Sequence, residues 1–160
     1  MEIFYDQNKN LVKLSFKKNE WMQEAMHVLV ICQYKNQWLL TAHKKRGLEF
    51  PGGKREKNET IIQTAHREVM EETGGIIDRL QWIASYQVFG EEPFVKDVFF
   101  ARISQLVPKD DYQETAGPVL IKGDLMEIRW DDSFSFIMKD DVIKYCISSI
   151  QNELLSERKG

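Results

Sequence analysis

The sequence predicts one mixed α and β domain: a mixed sheet with at least two helices, enough to cover both faces of the sheet. Three observations predict it. Segments with strand-like alternation or short apolar runs fill both halves of the chain. Ile61, Ile62, Ala65 and Val69 recur at helical spacing, and so do Val142, Ile143, Cys146, Ile147, Ile150 and Leu154. The chain has 160 residues, enough for one substantial core.

The elements follow in order. Leu11 to Phe16 alternates like a half-buried strand. His27 to Tyr34 and Gln37 to Ala42 read as two strands joined by a turn at Lys35-Asn36. A helix follows over the Ile61 to Val69 stripe, with Asn58 or Thr60 as N-cap and Gly74-Gly75 as its stop. Leu80 to Phe89 and Phe94 to Ile103 form a predicted hairpin around Gly90-Glu91-Glu92-Pro93. Ser104 to about Pro118 is a predicted loop, Met126 to Trp130 a short strand, and a last helix begins near Asp140.

Hydrophobic residues make up 42% of the chain and charged residues 29%, as in ordinary water-soluble proteins. No apolar run is long enough to span a membrane and no leader pattern opens the chain, so a cytoplasmic protein without membrane contact is the expectation. A net charge of -3 argues against gripping long duplex nucleic acid, which needs a large positive surface. It leaves room for a nucleotide or one RNA end. Cys32 and Cys146 lie in apolar settings and read as buried free thiols.

The segment 53–75, GKREKNETIIQTAHREVMEETGG, carries the chemistry. Glu68, Glu71 and Glu72 stand at i, i+3, i+4 and project from one helix face. By helical angle that face lies beside the apolar stripe, at the edge of the core. Like charges at i, i+4 cost about 0.2–0.5 kcal/mol even when exposed. A bound cation would reverse that cost, and Mg2+, a hard ion held by carboxylates and substrate phosphates, suits the cluster. An acidic helix face is more often merely solvated, so the wider pattern decides.

With Gly53, Glu59, Arg67, Glu68, Glu71, Glu72 and Gly74 in place, and Val69 at the first aliphatic position, the segment resembles the Nudix box, G-x5-E-x7-R-E-U-x-E-E-x-G-U. Gly75 departs from it, since the last U is aliphatic, with Ile76 one place later. The resemblance extends through Trp38-Leu39-Leu40-Thr41, Glu49-Phe50-Pro51-Gly52-Gly53-Lys54, Glu114-Thr115 with Gly117-Pro118-Val119-Leu120, and the run Phe134 to Asp140. These are similar to the YtkD-type branch of the bacterial MutT homologues.

That resemblance implies an α/β/α sandwich and phosphoanhydride hydrolysis with Mg2+, or alternatively Mn2+. It implies Gly52 (through its carbonyl), Glu68 and Glu72 as metal ligands, Glu71 as a direct or water-mediated one, and Glu59 in an outer position. Arg67 would orient a box carboxylate. The general base would be Glu68 or a later loop glutamate, here Glu114. Lys44 or Arg46 in the basic run, and Lys54, are candidates for gripping phosphates. Tyr86, Phe89, Phe134 and Phe136 are candidates for a base pocket, although alternating aromatics are more often core. The implied substrates are (d)NTPs, including oxidised guanine nucleotides such as 8-oxo-dGTP. The alternative is an RNA 5′-triphosphate, converted to a monophosphate at the start of mRNA decay. Two competing classes remain: a catalytically silent nucleotide-binding module, which tends to lose box carboxylates, and a structural protein, which leaves the acidic cluster without a purpose.

Overall fold

The computed structural model describes residues 1–159. Nine strands form one mixed sheet: β1 (Glu2–Tyr5), β2 (Leu11–Ser15), β3 (His27–Tyr34), β4 (Gln37–His43), β5 (Gly47–Glu49), β6 (Gly52–Lys54), β7 (Gly75–Phe89), β8 (Phe94–Leu106) and β9 (Thr115–Ile121). The main path runs β1-β2-β7-β8-β3-β4-β5, with β6 on β3 and β9 on β4. β3 and β8 pair in parallel, and the other named pairs are antiparallel.

Alternation along β3 splits the core into two layers. Val28, Val30 and Cys32 pack with Ala65 and Val69 of helix α1 (Ile61–Thr73). Leu29 and Ile31 pack with Val142, Ile143, Cys146, Ile147 and Ile150 of helix α3 (Asp141–Lys159). Each fully buried aliphatic side chain contributes roughly 1.5–3 kcal/mol. The result is the expected α/β/α arrangement, with α1 and α3 on opposite faces. Both cysteines are free and buried.

Lys35 and Asn36 both take positive φ, 49° and 63°, giving the two-residue turn expected between β3 and β4. Thr60 caps α1: its hydroxyl accepts from the Gln63 amide at 3.1 Å, and the Gln63 side chain returns a bond to the Thr60 amide at 2.9 Å. At the other end Gly74 is left-handed, φ 72°, and its amide donates to Met70 O.

Strands β1, β5 and β6 have no counterpart in the sequence reading, and three further elements differ from it. Thr115–Ile121 is a strand rather than the tail of a loop; Gly117 (φ 102°) and Pro118 disguise it, and it hangs on β4 where the register shifts. The predicted strand Met126 to Trp130 is instead the short helix α2 (Leu125–Ile128), because the Asp124 carboxylate accepts the Met126 amide at 2.9 Å and starts a turn. β7 begins at Gly75, five residues before the predicted start.

The departure at Gly75 has a steric cause. A Cβ there would lie 2.9 Å from Thr73 Oγ1 and 3.0 Å from Val69 Cγ1. The Thr73 hydroxyl donates to Val69 O and accepts from the Gly75 amide, at 2.6 and 3.0 Å, closing the helix exit where the family pattern has an aliphatic side chain. Ile76 does not replace that side chain, because it points outward; Ile77 packs on the core instead. Gly75→Val should therefore destabilise the protein by about 1–3 kcal/mol through overpacking. Urea unfolding tests this, and an unchanged midpoint would show that the pocket has room.

Candidate active site

Arg67 organises the acidic face of α1. Its Nε and Nη2 donate to the two oxygens of Glu59 at 2.6 and 2.9 Å, a side-on bidentate pair. Nη1 donates to Glu68 at 2.8 Å and to Glu71 at 3.3 Å, and Nη2 also reaches the Lys54 carbonyl at 3.0 Å. One guanidinium thus ties three box glutamates to the end of β6. Hydrogen bonding to Arg67 holds the Glu59 carboxyl far down, at about 2.

The opposite shift marks the next turn. Glu68 and Glu72 are near enough to perturb each other's carboxyls. Burial, then the charge and hydrogen bond of Glu68 and the charge of Glu49, raise Glu72 to about 9 against the pull of the Gly52 amide. Glu68 is raised as well, chiefly by burial, despite Arg67. One oxygen of Glu72, Oε2, is buried without a hydrogen-bond partner. A Cβ at Gly53 would meet the Glu68 carboxylate and push it aside, so the glycine lets β6 run directly against the pair.

These features fit a divalent cation. Among the described residues no three Asp, Glu, His or Cys side chains converge into a closed cage, and Arg67 already engages Glu59, Glu68 and Glu71. Mg2+ asks for less: one or two carboxylates, with water and phosphate oxygens completing the shell. Glu68 and Glu72, with an unpartnered buried oxygen, offer that. The end of α1 is braced from three sides. Thr41 and Thr115 hydroxyls donate to Glu72 O at 2.9 and 3.2 Å, and Lys109 Nζ donates to Met70 O and Glu71 O at 3.1 and 3.3 Å.

The remaining candidates divide. Glu114 stands at the loop before β9, 87% exposed, 3.8 Å from His43 Nε2. Lys44 braces that loop, with its amide on Glu114 O and its ammonium on Gln113 O, both at 3.2 Å. Arg46 pairs with Glu49 beside Glu72 and Glu114. The Lys54 side chain is exposed, and the residue meets Arg67 through its carbonyl. Tyr86 and Phe136 line one cavity of about 210 Å³, shared with Leu29, Lys96 and Asp140 on the α3 face. Phe134 is buried in the core and Phe89 sits exposed under Lys13, so neither lines that cavity.

A larger cavity, about 680 Å³, lies under the Lys18–Ala25 strap on the α1 face. It meets the box at Arg55 and at Glu59 to Ile62 but not at Glu68, Glu71 or Glu72, and no box residue lines the smaller cavity. Glu49, Lys96 and Asp140 were missed by the sequence reading. The signal for two of them was a charge at an inward strand position, as in Leu48-Glu49-Phe50 and Val95-Lys96-Asp97-Val98.

With this geometry in place, the chain can be set among known proteins. It matches the NUDIX domain family over residues 22–132 and belongs to it: the protein is a Nudix hydrolase. It is 42% identical over 149 residues to YtkD of Bacillus subtilis, named as a candidate 8-oxo-dGTP diphosphatase, covering 92% of this chain and 94% of that one. The crystal structure of the Bacillus subtilis pyrophosphohydrolase BsRppH, in a glutamate-to-alanine variant, superposes with a TM-score of 0.92 at 40% identity, covering 96% and 98% of the two chains. A Nudix hydrolase from Nitrosomonas europaea shares the fold, with a TM-score of 0.66 at 19% identity over 81% and 90%. Hydrolases of this family generally use a divalent metal, and nucleotides or RNA 5′ ends are their substrates. Among the described residues no helix is long and apolar enough to cross a membrane.

Asp140 gives a pH test of the smaller cavity. Burial first, then Asp6, raise its carboxyl from 3.8 to about 6 against the Gln7 amide. The folded protein thus holds the extra proton between those values. The stability it brings is fully present below about pH 4 and is lost as pH rises through about 6. Asp140→Asn keeps an acceptor for the Gln7 amide, 2.9 Å away, and does not ionise. Its stability relative to wild type should climb between pH 4 and 7, read from urea midpoints; a flat difference would mean the carboxyl titrates normally.

Proposed function

We propose that this Nudix hydrolase is a Mg2+-dependent pyrophosphohydrolase, with Mn2+ as a substitute metal, acting on nucleoside triphosphates including 8-oxo-dGTP. The observation that carries the reading is the Glu68–Glu72 pair, with its unpartnered buried oxygen against the Gly52-Gly53 loop. In the proposed assignment Gly52, Glu68 and Glu72 hold the metal, Glu71 holds it directly or through water, and Glu59 acts from outside. When bound, the metal neutralises phosphate charge and acidifies water. Arg67 keeps Glu59, Glu68 and Glu71 aligned. Glu68, or Glu114 from its exposed loop, takes the proton from the attacking water. Arg46, with Lys44 and Lys54 further out, meets the phosphates.

Tyr86 and Phe136 flank the base, and the cavity they line has room for one base rather than a whole nucleotide. One domain over residues 1–160 suits this reading, because α3 lies beyond the matched region yet its side chains belong to the same core. Similarity to BsRppH over nearly the whole chain favours one second reading, an RNA 5′-triphosphate as substrate, leaving a monophosphate. Both readings use the same carboxylates and differ in what binds beyond the first nucleotide.

Glu68→Gln tests the chemistry. Burial already favours an uncharged group there, so the fold should survive while turnover falls by roughly 10²-fold or more. Near-normal turnover in a folded variant would sink the assignment. Comparing kcat/KM for dGTP, 8-oxo-dGTP and a short triphosphorylated RNA then separates the substrates. Preference for 8-oxo-dGTP is expected; preference for the RNA, lost when its second nucleotide is removed, would establish the second reading.

A further inference from the structure

Glu49 is a buried carboxylate, only 4% exposed, that the assignment above leaves without a task. It accepts Arg46 Nε and Nη2 on its two oxygens, both at 2.9 Å. A carboxylate this deep needs such a partner, and the parallel bonds fix the plane of the guanidinium. Arg46 itself is 40% exposed. Of its five N–H donors, two are occupied by Glu49 and three remain.

The backbone holds Glu49 from two sides. It pairs with Thr41 of β4. Its neighbour Leu48 exchanges bonds with the 133–135 segment, amide to Ser133 O and carbonyl from the Ser135 amide, both 2.8 Å. Gly47, at φ 98°, lies against Ser133 O where a Cβ would collide. The Arg46 amide donates to His43 Nδ1 at 3.1 Å. The anchor is therefore rigid, and the arginine side chain is the adjustable part.

Arg46 is also close enough to Glu72 and Glu114 to feel their charges. Without the Glu49 carboxylate, the charges of those two glutamates would be left to draw its guanidinium. We propose that Glu49 is a positioning residue. It holds Arg46 by one edge, keeps it from collapsing onto the Glu72 carboxylate, and presents the three free N–H groups to the phosphates of the substrate. This rests on the reading of Arg46 as a phosphate-gripping residue.

The test is a double-mutant cycle with 8-oxo-dGTP or triphosphorylated RNA, whichever the wild type prefers, joined to calorimetric binding of inorganic pyrophosphate. Arg46→Ala should raise KM about tenfold. Glu49→Gln should raise it nearly as far, with saturated kcat within about twofold of wild type, and weaken pyrophosphate to match. In the Arg46→Ala background Glu49→Gln should add nothing. A purely structural Glu49 would give an additive loss. If Arg46→Ala leaves KM and pyrophosphate binding unchanged, the phosphate-gripping reading of Arg46 fails. If Arg46→Ala acts but Glu49→Gln does not, or acts equally in both backgrounds, the positioning role is overturned. Should Glu49→Gln not fold, Arg46→Lys asks the same question. It keeps the charge but loses the two-point grip, so KM should approach that of Arg46→Ala, and a wild-type KM would overturn the proposal.

Discussion

Two carboxylates one helical turn apart, Glu68 and Glu72, at the buried edge of a sheet, are the constraint on which the site is built. Neither ionises freely beside the other, and burial pushes both toward the neutral form. A helix left to itself would turn or fray to separate them. Here it is not free to do so. Val69 and Ala65 pin its apolar stripe to β3 and β8, Thr41 and Thr115 hold the Glu72 carbonyl, and Lys109 caps the last turn. The cost of holding this pair is kept in the folded state, where a cation would relieve it.

Arg67 supplies the contrast within the same helix. It lies one residue from Glu68, yet its strongest grip is on Glu59, in the loop before the helix. That grip, with the bond to the Lys54 carbonyl, ties the helix to the end of β6 and the segment that follows it. Glu59 is accordingly the acid held firmly ionised, while Glu72 is the one driven toward neutrality. The acidic cluster therefore has two populations: carboxylates satisfied by arginine and carboxylates left wanting a partner. A motif written as a row of equivalent glutamates hides this division.

The division explains how much was legible in the sequence. Helical spacing placed Glu68, Glu71 and Glu72 on one face at the core's edge, and the two apolar stripes foretold helices on both faces of the sheet. β9 was hidden because Gly117 and Pro118 are breakers in most contexts, and its pairing with β4 depends on residues some 76 positions away in sequence. α2 was misread because five residues with two or three apolar positions fit a strand as well as a turn, and only the Asp124 cap decides. Glu49 and Lys96 were missed because their meaning lies in what faces them across the fold. An inward charge on a strand signals something, but the sequence does not say which partner it meets.

The geometry also separates reaction from selection. The carboxylates belong to the α1 face, whereas the cavity of Tyr86, Lys96, Phe136 and Asp140 opens on the α3 face. The two meet through β5. Its Glu49 carries Arg46 on the side of Glu72, while its Leu48 is stitched to Ser133 and Ser135, which lead directly into Phe136. A three-residue strand is thus the common support of the groups proposed to meet phosphate and base. Changing the wall at Phe136 can alter which base is accepted without disturbing the Glu68–Glu72 pair, whose bracing comes from other elements. Shifting β5 itself would disturb both ends at once. That arrangement is consistent with a fixed reaction carried by the helix and a variable substrate preference carried around it.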